Sequence, residues 1–285
     1  MRTVLVTGCS SGIGRATAKL FQQKGWNVSA TIHPPEEEKE LDKLSNVICP
    51  KLDVTKPETI KKAVEATIKK FGKIDVVVNN AGFAAVGPFE CSTQKHMQNQ
   101  FDVNTFGMMN VTREVLPHFR QNKAGVFVNV TSMASRMTLP LCTLYDSSKW
   151  AAEGFSECLH YELEPLGIAV KVVEPGVVRT KMYEGNMVLL ENPRIHEYDD
   201  FIGRVLPGAK DPVLPRFLRL FGAKKKGSLP EETARVVYKA ATDKGGRFRY
   251  IAGSDAKITL FLRKILSDGL FFRIVKRSMI KKPRR

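Results

Sequence analysis

Tyr145 and Lys149 stand four residues apart, a spacing that places two side chains on one face of a helix. A phenol can give a proton to an oxygen atom or take one from it, but its ordinary pKa, near 10, is too high for a base at neutral pH. A neighbouring ammonium favours the phenolate, so we expect Lys149 to lower the pKa of Tyr145. The pair could therefore perform acid–base chemistry at an alcohol or carbonyl oxygen.

A glycine-rich turn offers a place for a phosphate. Gly8, Gly12 and Gly14 follow a short apolar run and precede an amphipathic stretch. Glycines let the backbone turn tightly and approach an anion, and the amino end of the following helix carries exposed N–H groups and partial positive charge. An ordinary strand–helix turn is the alternative interpretation, because a glycine triplet alone is weak evidence.

The elements that must position these residues alternate between strand and helix. Near-continuous apolar runs predict strands at about residues 3–6, 28–32, 47–48, 75–78, 126–130 and 170–173, and amphipathic stretches predict helices at about 13–24, 57–71, 98–121 and 147–166. This pattern predicts an α/β fold with a doubly wound parallel sheet, whose ligands lie beyond the carboxyl ends of the strands. After Gly176 the regular alternation is expected to stop.

Several motifs, taken in order, resemble the short-chain dehydrogenase/reductase family over residues 3–181. They are Thr7-Gly8-x-x-x-Gly12-Ile13-Gly14 after the first strand, Asn79-Asn80-Ala81-Gly82 after the fourth, Ser132 after the fifth, Tyr145-x-x-x-Lys149, and Pro175-Gly176 after the sixth. The overall pattern, which continues past this core, is similar to the hydroxysteroid- and retinol-dehydrogenase-like group of the family. The resemblance implies a Rossmann-type single domain and hydride transfer between a nicotinamide cofactor and an alcohol or carbonyl carbon.

The resemblance also implies roles for four catalytic residues. Tyr145 is the acid/base, Lys149 lies beside it and binds the nicotinamide ribose, Ser132 holds the substrate oxygen, and Asn104 anchors a water chain for protons. Thr131 and Ser135 are competing hydroxyls, but the thirteen-residue gap to Tyr145 favours Ser132. For Asn104 the alternative is a polar side chain that is bonded to backbone inside a helix.

The cofactor-binding residues that the resemblance implies lie at the strand ends. Asp53 corresponds to a contact with adenine, and the segment after the sixth strand corresponds to a clamp on the nicotinamide amide. The full set is Gly8, Ser10, Ser11, Gly12, Ile13, Gly14, Arg15, His33, Asp53, Val54, Asn80, Ala81, Gly82, Tyr145, Lys149, Pro175, Gly176, Val178 and Thr180. No metal site is predicted.

The end of the second predicted strand bears on the choice between NADP(H) and NAD(H). An NAD enzyme usually places an acid there, but the strand runs into His33 and Pro34, and the first acid is Glu36. Arg15 could contact a 2′-phosphate, although it could equally be a helix-surface residue, and His33 a simple turn residue. NADP(H) is therefore favoured, with NAD(H) as the alternative; the family's frequent arginine near His33 is absent.

An insertion at about residues 184–227 interrupts the pattern with many apolar side chains and several prolines. It is expected to form short helices that cover the substrate. The segment Leu141–Leu144, just before Tyr145, is also apolar. Both features favour a small hydrophobic alcohol or ketone that is steroid-, retinoid- or lipid-like, although core packing would explain the second.

Positive charge is concentrated at the end of the chain. The net charge is +16, and residues 257–285 carry ten basic residues against Asp268 alone. We expect a catalytic domain at residues 1–256 and a basic amphipathic extension at 257–285. The extension could pack on the domain or a partner subunit, or lie on an anionic membrane surface. Nucleic acid is disfavoured, because no recognised fold or aromatic platform accompanies the charge.

The remaining expectations concern compartment and assembly. Five widely spaced cysteines without a C-x-x-C pair favour reduced thiols. The first strand begins at Thr3, and no apolar run reaches the roughly 18–20 residues that span a bilayer, so a cytoplasmic protein with, at most, peripheral membrane contact is expected. The family resemblance implies a homodimer or homotetramer through the helices at about 98–121 and 147–166.

Overall fold

The computed structural model describes residues 1–33, 40–180, 187–192, 194–205 and 227–280. Its strands are β1 (Thr3–Val6), β2 (Asn27–Ala30), β3 (Val47–Ile48), β4 (Val76–Asn79), β5 (Ala85–Val86), β6 (Gly125–Val130), β7 (Ile168–Pro175), β8 (Val188–Leu189) and β9 (Arg249–Ala252). Seven of them form one parallel sheet in the order β3-β2-β1-β4-β6-β7-β9. The order reverses between β1 and β4, which is where such sheets open a ligand crevice.

Helices cover both faces of the sheet. They are α1 (Gly12–Gln23), α2 (Pro57–Phe71), α3 (Gln94–Phe101), α4 (Gly107–Asn122), α5 (Thr143–Leu163), α6 (Asp199–Val205), α7 (Pro230–Thr242), α8 (Ser254–Ile265) and α9 (Asp268–Val275). On one face Phe21 of α1 and Val237 of α7 pack on the strands, and on the other Phe119 of α4 and Leu159 of α5 do so. Burial on both faces explains the near-continuous apolar strands, and the predicted Rossmann-type fold is confirmed.

The alternation of strands and helices continues beyond Gly176. The expectation that it stops after Gly176 is wrong, because α7 and β9 add a further helix and strand and β9 pairs in parallel with β7. The β9 strand has only four residues, and two of them are half-buried, so its apolar signal is weak.

The insertion contributes to the region around the carboxyl ends of the strands. Its described part contains β8, which pairs with β5 through the registers Ala85–Val188 and Val86–Leu189, and the short helix α6. Residues 206–226 of the expected insertion, together with 184–186 and 193, lie outside the described residues.

The chain end packs on the domain through one face. Leu260 of α8 and Phe271 and Val275 of α9 are buried against Met133 and Met137, in the loop that follows β6. The boundary expected at residues 256 and 257 lies inside α8. Within the described ranges, no helix combines the length and the apolar character needed to cross a bilayer.

Candidate active site

The glycine turn has the backbone geometry of a phosphate cradle. Gly8 and Gly12 adopt φ values of +72° and +58°, in the left-handed region that glycine tolerates best. A Cβ on Gly14 would lie 2.2 Å from the Gly8 carbonyl oxygen. The Ser11 side chain makes no capping bond at the start of α1, which leaves that helix end open to an anion such as a pyrophosphate. Among the other expected contacts, Ser10 is exposed and Ile13 half-buried in this turn.

Thr7 ties this turn to the segment after β4. Its Oγ1 accepts hydrogen bonds from the backbone N–H groups of Asn80, at 2.9 Å, and Ala81, at 3.0 Å. The Asn80 side chain returns a bond from Nδ2 to the Thr7 carbonyl oxygen at 2.9 Å. No role was predicted for Thr7 from the sequence, although its position between a strand and Gly8 indicates that it belongs to the glycine turn. The two turns thus form one wall of the crevice.

Asn104 lies inside the helix pair at a local irregularity. A π-helical turn, Asp102–Phe106, joins α3 to α4. There Asn104 donates from Nδ2 to the Phe83 carbonyl oxygen and to Ser148 Oγ, both at 3.0 Å, and its Oδ1 accepts from the Phe83 N–H. A Cβ on Gly82 would lie 3.0 Å from that Oδ1 and 3.6 Å from Lys149 Nζ, so the glycine leaves room for both side chains. Such turns often occur at functional sites.

Tyr145 and Ser132 are brought together. Ser132 follows β6, and its hydroxyl lies close enough to the phenol of Tyr145, near the start of α5, to lower the pKa of that phenol. Burial nevertheless raises the pKa of Tyr145 to about 12, and the neighbouring Asp146 raises it further. The expectation of a lowered pKa is therefore wrong for this structure, because the loss of water outweighs the favourable contacts.

Lys149 lies behind Tyr145 on the same helical face. Its Nζ is 5.9 Å from the centroid of the tyrosine ring and donates a hydrogen bond to the Val130 carbonyl oxygen at 3.2 Å. Burial lowers the pKa of Lys149 to about 8, because desolvation disfavours the ammonium. At neutral pH this lysine still holds its proton.

Arg15 and His33, the residues expected to favour NADP(H), both lie beside carboxylates. Arg15 forms an ion pair with Glu40 at 2.8 Å, and Lys19 binds the other oxygen of the same carboxylate. His33 Nε2 lies 3.9 Å from Asp53 Oδ2. Residues 34–39, which include Glu36, lie outside the described residues.

Asp53 and Val54 occupy the expected turn after β3. Burial raises the pKa of Asp53, but hydrogen bonds from Thr55 outweigh it and leave the pKa below its usual value. Val54 is buried and lies so close to Gly107 that a Cβ there would be 2.6 Å from Val54 Cγ2. The carboxylate is therefore fixed at the edge of the crevice.

The segment after β7 faces the glycine turn. Thr180 lies beside Gly12, where a Cβ would be 3.0 Å from Thr180 Cγ2. Pro175 is the last residue of β7, the Gly176 N–H bonds to the Ala252 carbonyl oxygen at 2.8 Å, and Val178 is buried. The segment is held by a residue that sequence reasoning missed, Asp255, whose Oδ2 accepts from the Val177 N–H at 2.6 Å. No local motif marks Asp255, because its partner is 78 residues away.

Tyr145 packs against a cluster of apolar side chains. Leu141 adopts φ +66°, an unusual value for a branched residue, and packs against Ala84 and Val86. From the insertion, Met187 and helix α6 join the same cluster, the helix through Phe201, Ile202 and Val205. The Tyr145 side chain therefore lies in an apolar environment rather than a polar one.

The chain matches known proteins over this whole region. A family model described as short chain dehydrogenase matches residues 2–187. An uncharacterised oxidoreductase of Schizosaccharomyces pombe is 34% identical over 86% of this chain and 98% of that protein. A 3-ketodihydrosphingosine reductase of Bacteroides thetaiotaomicron is 31% identical over 88% of this chain and 87% of that protein. A solved structure of a short-chain dehydrogenase from Streptomyces avermitilis superposes with a TM-score of 0.78 at 29% identity and covers 97% of both chains.

Proposed function

This chain belongs to the short-chain dehydrogenase family of NAD(P)-binding oxidoreductases, and from that premise we propose that it interconverts a carbonyl and an alcohol on a hydrophobic substrate. One observation carries the proposal. The Ser132 hydroxyl lies beside the phenol of Tyr145, and the buried Lys149 follows one helical turn later on α5, at the carboxyl ends of the strands.

These residues have complementary tasks. Because the pKa of Tyr145 is about 12, its phenol is protonated near neutrality and can donate to a carbonyl oxygen. Ser132 holds and polarises that oxygen, and the Lys149 ammonium stabilises the phenolate that proton donation leaves. The bonds of Asn104 to Phe83 and Ser148 fix it where a water chain could return the proton to Tyr145 through Lys149.

The crevice residues fit a nicotinamide dinucleotide. The Gly8–Gly14 turn would hold its pyrophosphate, Asp53 and Val54 its adenine side, Lys149 its nicotinamide ribose, and Gly176–Thr180 its amide. When bound there, the cofactor supplies or accepts the hydride.

We infer a preference for NADP(H) from the residue types after β2 and after the glycine turn. Residues 31–33, which follow β2, include no acid, whereas an NAD enzyme usually places one there to bind the ribose hydroxyls. The Arg15 guanidinium, one residue after the glycine turn, would bind a 2′-phosphate.

The substrate class follows from the apolar cluster around Tyr145. Leu141, Val86 and the α6 side chains offer few polar partners, which favours a long-chain, steroid-like or retinoid-like ketone over a sugar. The similarity to a 3-ketodihydrosphingosine reductase agrees with a lipid-like carbonyl and makes 3-ketodihydrosphingosine a rational probe.

The test combines a cofactor titration with a carbonyl panel. NADPH and NADH binding is followed by fluorescence, and turnover is measured with 3-ketodihydrosphingosine, a steroid ketone and a hydrophilic short-chain ketone. Tyr145→Phe removes the transferable proton and is expected to lower kcat at least about 100-fold while NADPH binding persists. Tyr161→Phe, an exposed tyrosine on the same helix, is the matched control and should leave turnover unchanged.

Two outcomes would overturn the proposal. Undiminished turnover in Tyr145→Phe would remove the assigned acid–base role. Tight cofactor binding with no turnover on any carbonyl would instead favour the alternative function, a cofactor-holding protein that senses redox state or carries a partner.

Two exposed surfaces offer sites for contact with a second subunit and with a membrane. Trp150, Cys158 and Tyr161 form an exposed stripe on the outer side of α5, and Phe106 is exposed on the π turn that packs against α5. We infer that this face joins subunits into a homodimer or homotetramer.

The second surface lies on α8, where Lys257, Phe261, Lys264 and Ile265 are exposed at helical spacing, on the side opposite the buried Ala256 and Thr259. A face that alternates lysines with large apolar side chains fits an anionic membrane surface, and peripheral contact there would bring the enzyme to a lipid substrate.

A further inference from the structure

The catalytic stripe of α5 continues one turn beyond Lys149. Tyr145, Lys149 and Glu153 are spaced by four residues, and Glu153 is only 5% exposed. Its Oε2 accepts hydrogen bonds from Thr131 Oγ1 at 3.0 Å and Ser135 Oγ at 2.8 Å. Those two residues lie on either side of Ser132 in the chain, so one buried carboxylate binds side-chain hydroxyls both before and after the predicted catalytic serine.

The other oxygen of Glu153 faces a cation from a distant strand. Arg249 of β9 donates from Nε to Glu153 Oε1 at 2.8 Å, and its Nη2 binds Glu157. Nearby, Arg136 pairs with the fully buried Glu174, whose pKa is raised to about 7 by burial and by the charge of Glu153. Both Glu153 oxygens are thus satisfied, as a buried carboxylate requires.

This arrangement gives the hydroxyls of Thr131, Ser132 and Ser135 different hydrogen-bond partners. Ser135 Oγ also lies 2.7 Å from the Ser132 carbonyl oxygen, but its single proton is drawn to the carboxylate, the stronger acceptor. Thr131 is drawn the same way. Ser132 Oγ accepts from the Ala134 N–H at 3.1 Å and is left as the hydroxyl that meets Tyr145.

We propose that Glu153 is a positioning residue for Ser132: by holding the Thr131 and Ser135 hydroxyls it keeps the Ser132 hydroxyl on Tyr145. The proposal rests on the carbonyl–alcohol interconversion proposed above. It assigns the Arg249 ion pair a different task, which is to stabilise the buried charge.

Three variants separate the two tasks. Glu153→Gln keeps an acceptor oxygen for Thr131 and Ser135 but loses the charge, and kcat should stay within about threefold of wild type. Glu153→Leu loses the acceptor, and kcat should fall about 10- to 100-fold with the NADPH dissociation constant unchanged. Arg249→Gln breaks the ion pair but leaves the acceptor, so it should lower Tm while kcat is retained.

Turnover is measured with NADPH and whichever panel ketone the wild type reduces, and Tm is recorded for each variant. Equal loss of kcat in Glu153→Gln and Glu153→Leu, or a loss in Arg249→Gln that tracks Tm, would overturn the proposal in favour of a purely structural role.

Crystal structures of wild type, Glu153→Gln and Glu153→Leu provide a readout that does not depend on turnover. We expect the Ser132 Oγ to stay on Tyr145 in the glutamine variant and to leave it in the leucine variant. An unmoved Ser132 in Glu153→Leu would refute the positioning role. If wild type reduces no ketone, the proposed activity fails while these structures still decide the role of Glu153.

Discussion

Tyr145 and Lys149 are both shielded from water, and burial changes the pKa of a phenol and of an ammonium in opposite directions. The phenol keeps its proton to about pH 12, whereas the lysine loses its proton near pH 8. Of these two residues, Lys149 is therefore the one that titrates within the working range. In the proposed mechanism, the pH response then depends on the lysine.

The pH profile of ketone reduction should show this. Below the pKa of about 8 the Lys149 ammonium stabilises the phenolate that forms on Tyr145, and above it that charge is lost. We expect kcat/KM to fall about tenfold per pH unit above pH 8, with a plateau below it. A flat profile between pH 7 and 9.5 would contradict the assignment.

Asp146 provides the control for that profile, because its pKa is raised to about 7 by burial and it lies next to Tyr145 in the chain. Asp146→Asn should retain the descending limb near pH 8. Loss of the limb in this variant would assign it to Asp146 instead of Lys149.

At the scale of elements, the faces of α5 carry different residue types. The stripe Tyr145, Lys149 and Glu153 points to the crevice and the buried network, while Trp150 and Tyr161 are exposed on another side. Helix α8 is divided in a similar way between a buried face around Ala256 and Thr259 and an exposed face around Phe261. The packing expected for the chain end is present on the buried face, and the exposed face is the one proposed for membrane contact.

The exposed face of α8, defined by Lys257, Phe261, Lys264 and Ile265, gives a prediction for membrane binding. Phe261→Ser with Ile265→Ser should weaken co-sedimentation with vesicles containing phosphatidylserine about tenfold or more, because two apolar anchors are lost. Binding to vesicles of phosphatidylcholine alone should be weaker for wild type, since the lysines lack a partner charge.

Leu229→Ser, an exposed leucine outside α8, is the matched control and should bind like wild type. Equal binding by wild type and by the α8 double variant would exclude this face as the membrane contact.

At the scale of the whole molecule, the aromatic side chains of Phe106, Trp150 and Tyr161 would be exposed to water in a monomer. Trp150→Arg should shift the sedimentation profile toward the monomer by introducing an unpaired charge at the centre of the interface. Phe89→Arg, at an exposed aromatic residue outside α5 and the π turn, should leave the profile unchanged. A wild-type monomer at micromolar concentration would contradict the inferred assembly.

Much of the fold and several site residues could be predicted from the sequence alone, because their signals are local. The glycine turn needs left-handed backbone within seven residues, and Tyr145 and Lys149 share a helical face through a four-residue spacing. The parallel sheet is visible in continuous apolar strands. These features depend on neighbours along the chain, so no knowledge of the packed molecule is required to find them.

Only the tertiary structure decided the features that depend on distant partners. The protonation of Tyr145 follows from burial, which reversed the expectation drawn from its nearness to Lys149. The cationic partner of Glu153, Arg249, lies 96 residues away in β9, a strand that the sequence pattern did not predict. Local chemistry names the groups that can react, whereas desolvation and long-range ion pairs determine their charge and orientation.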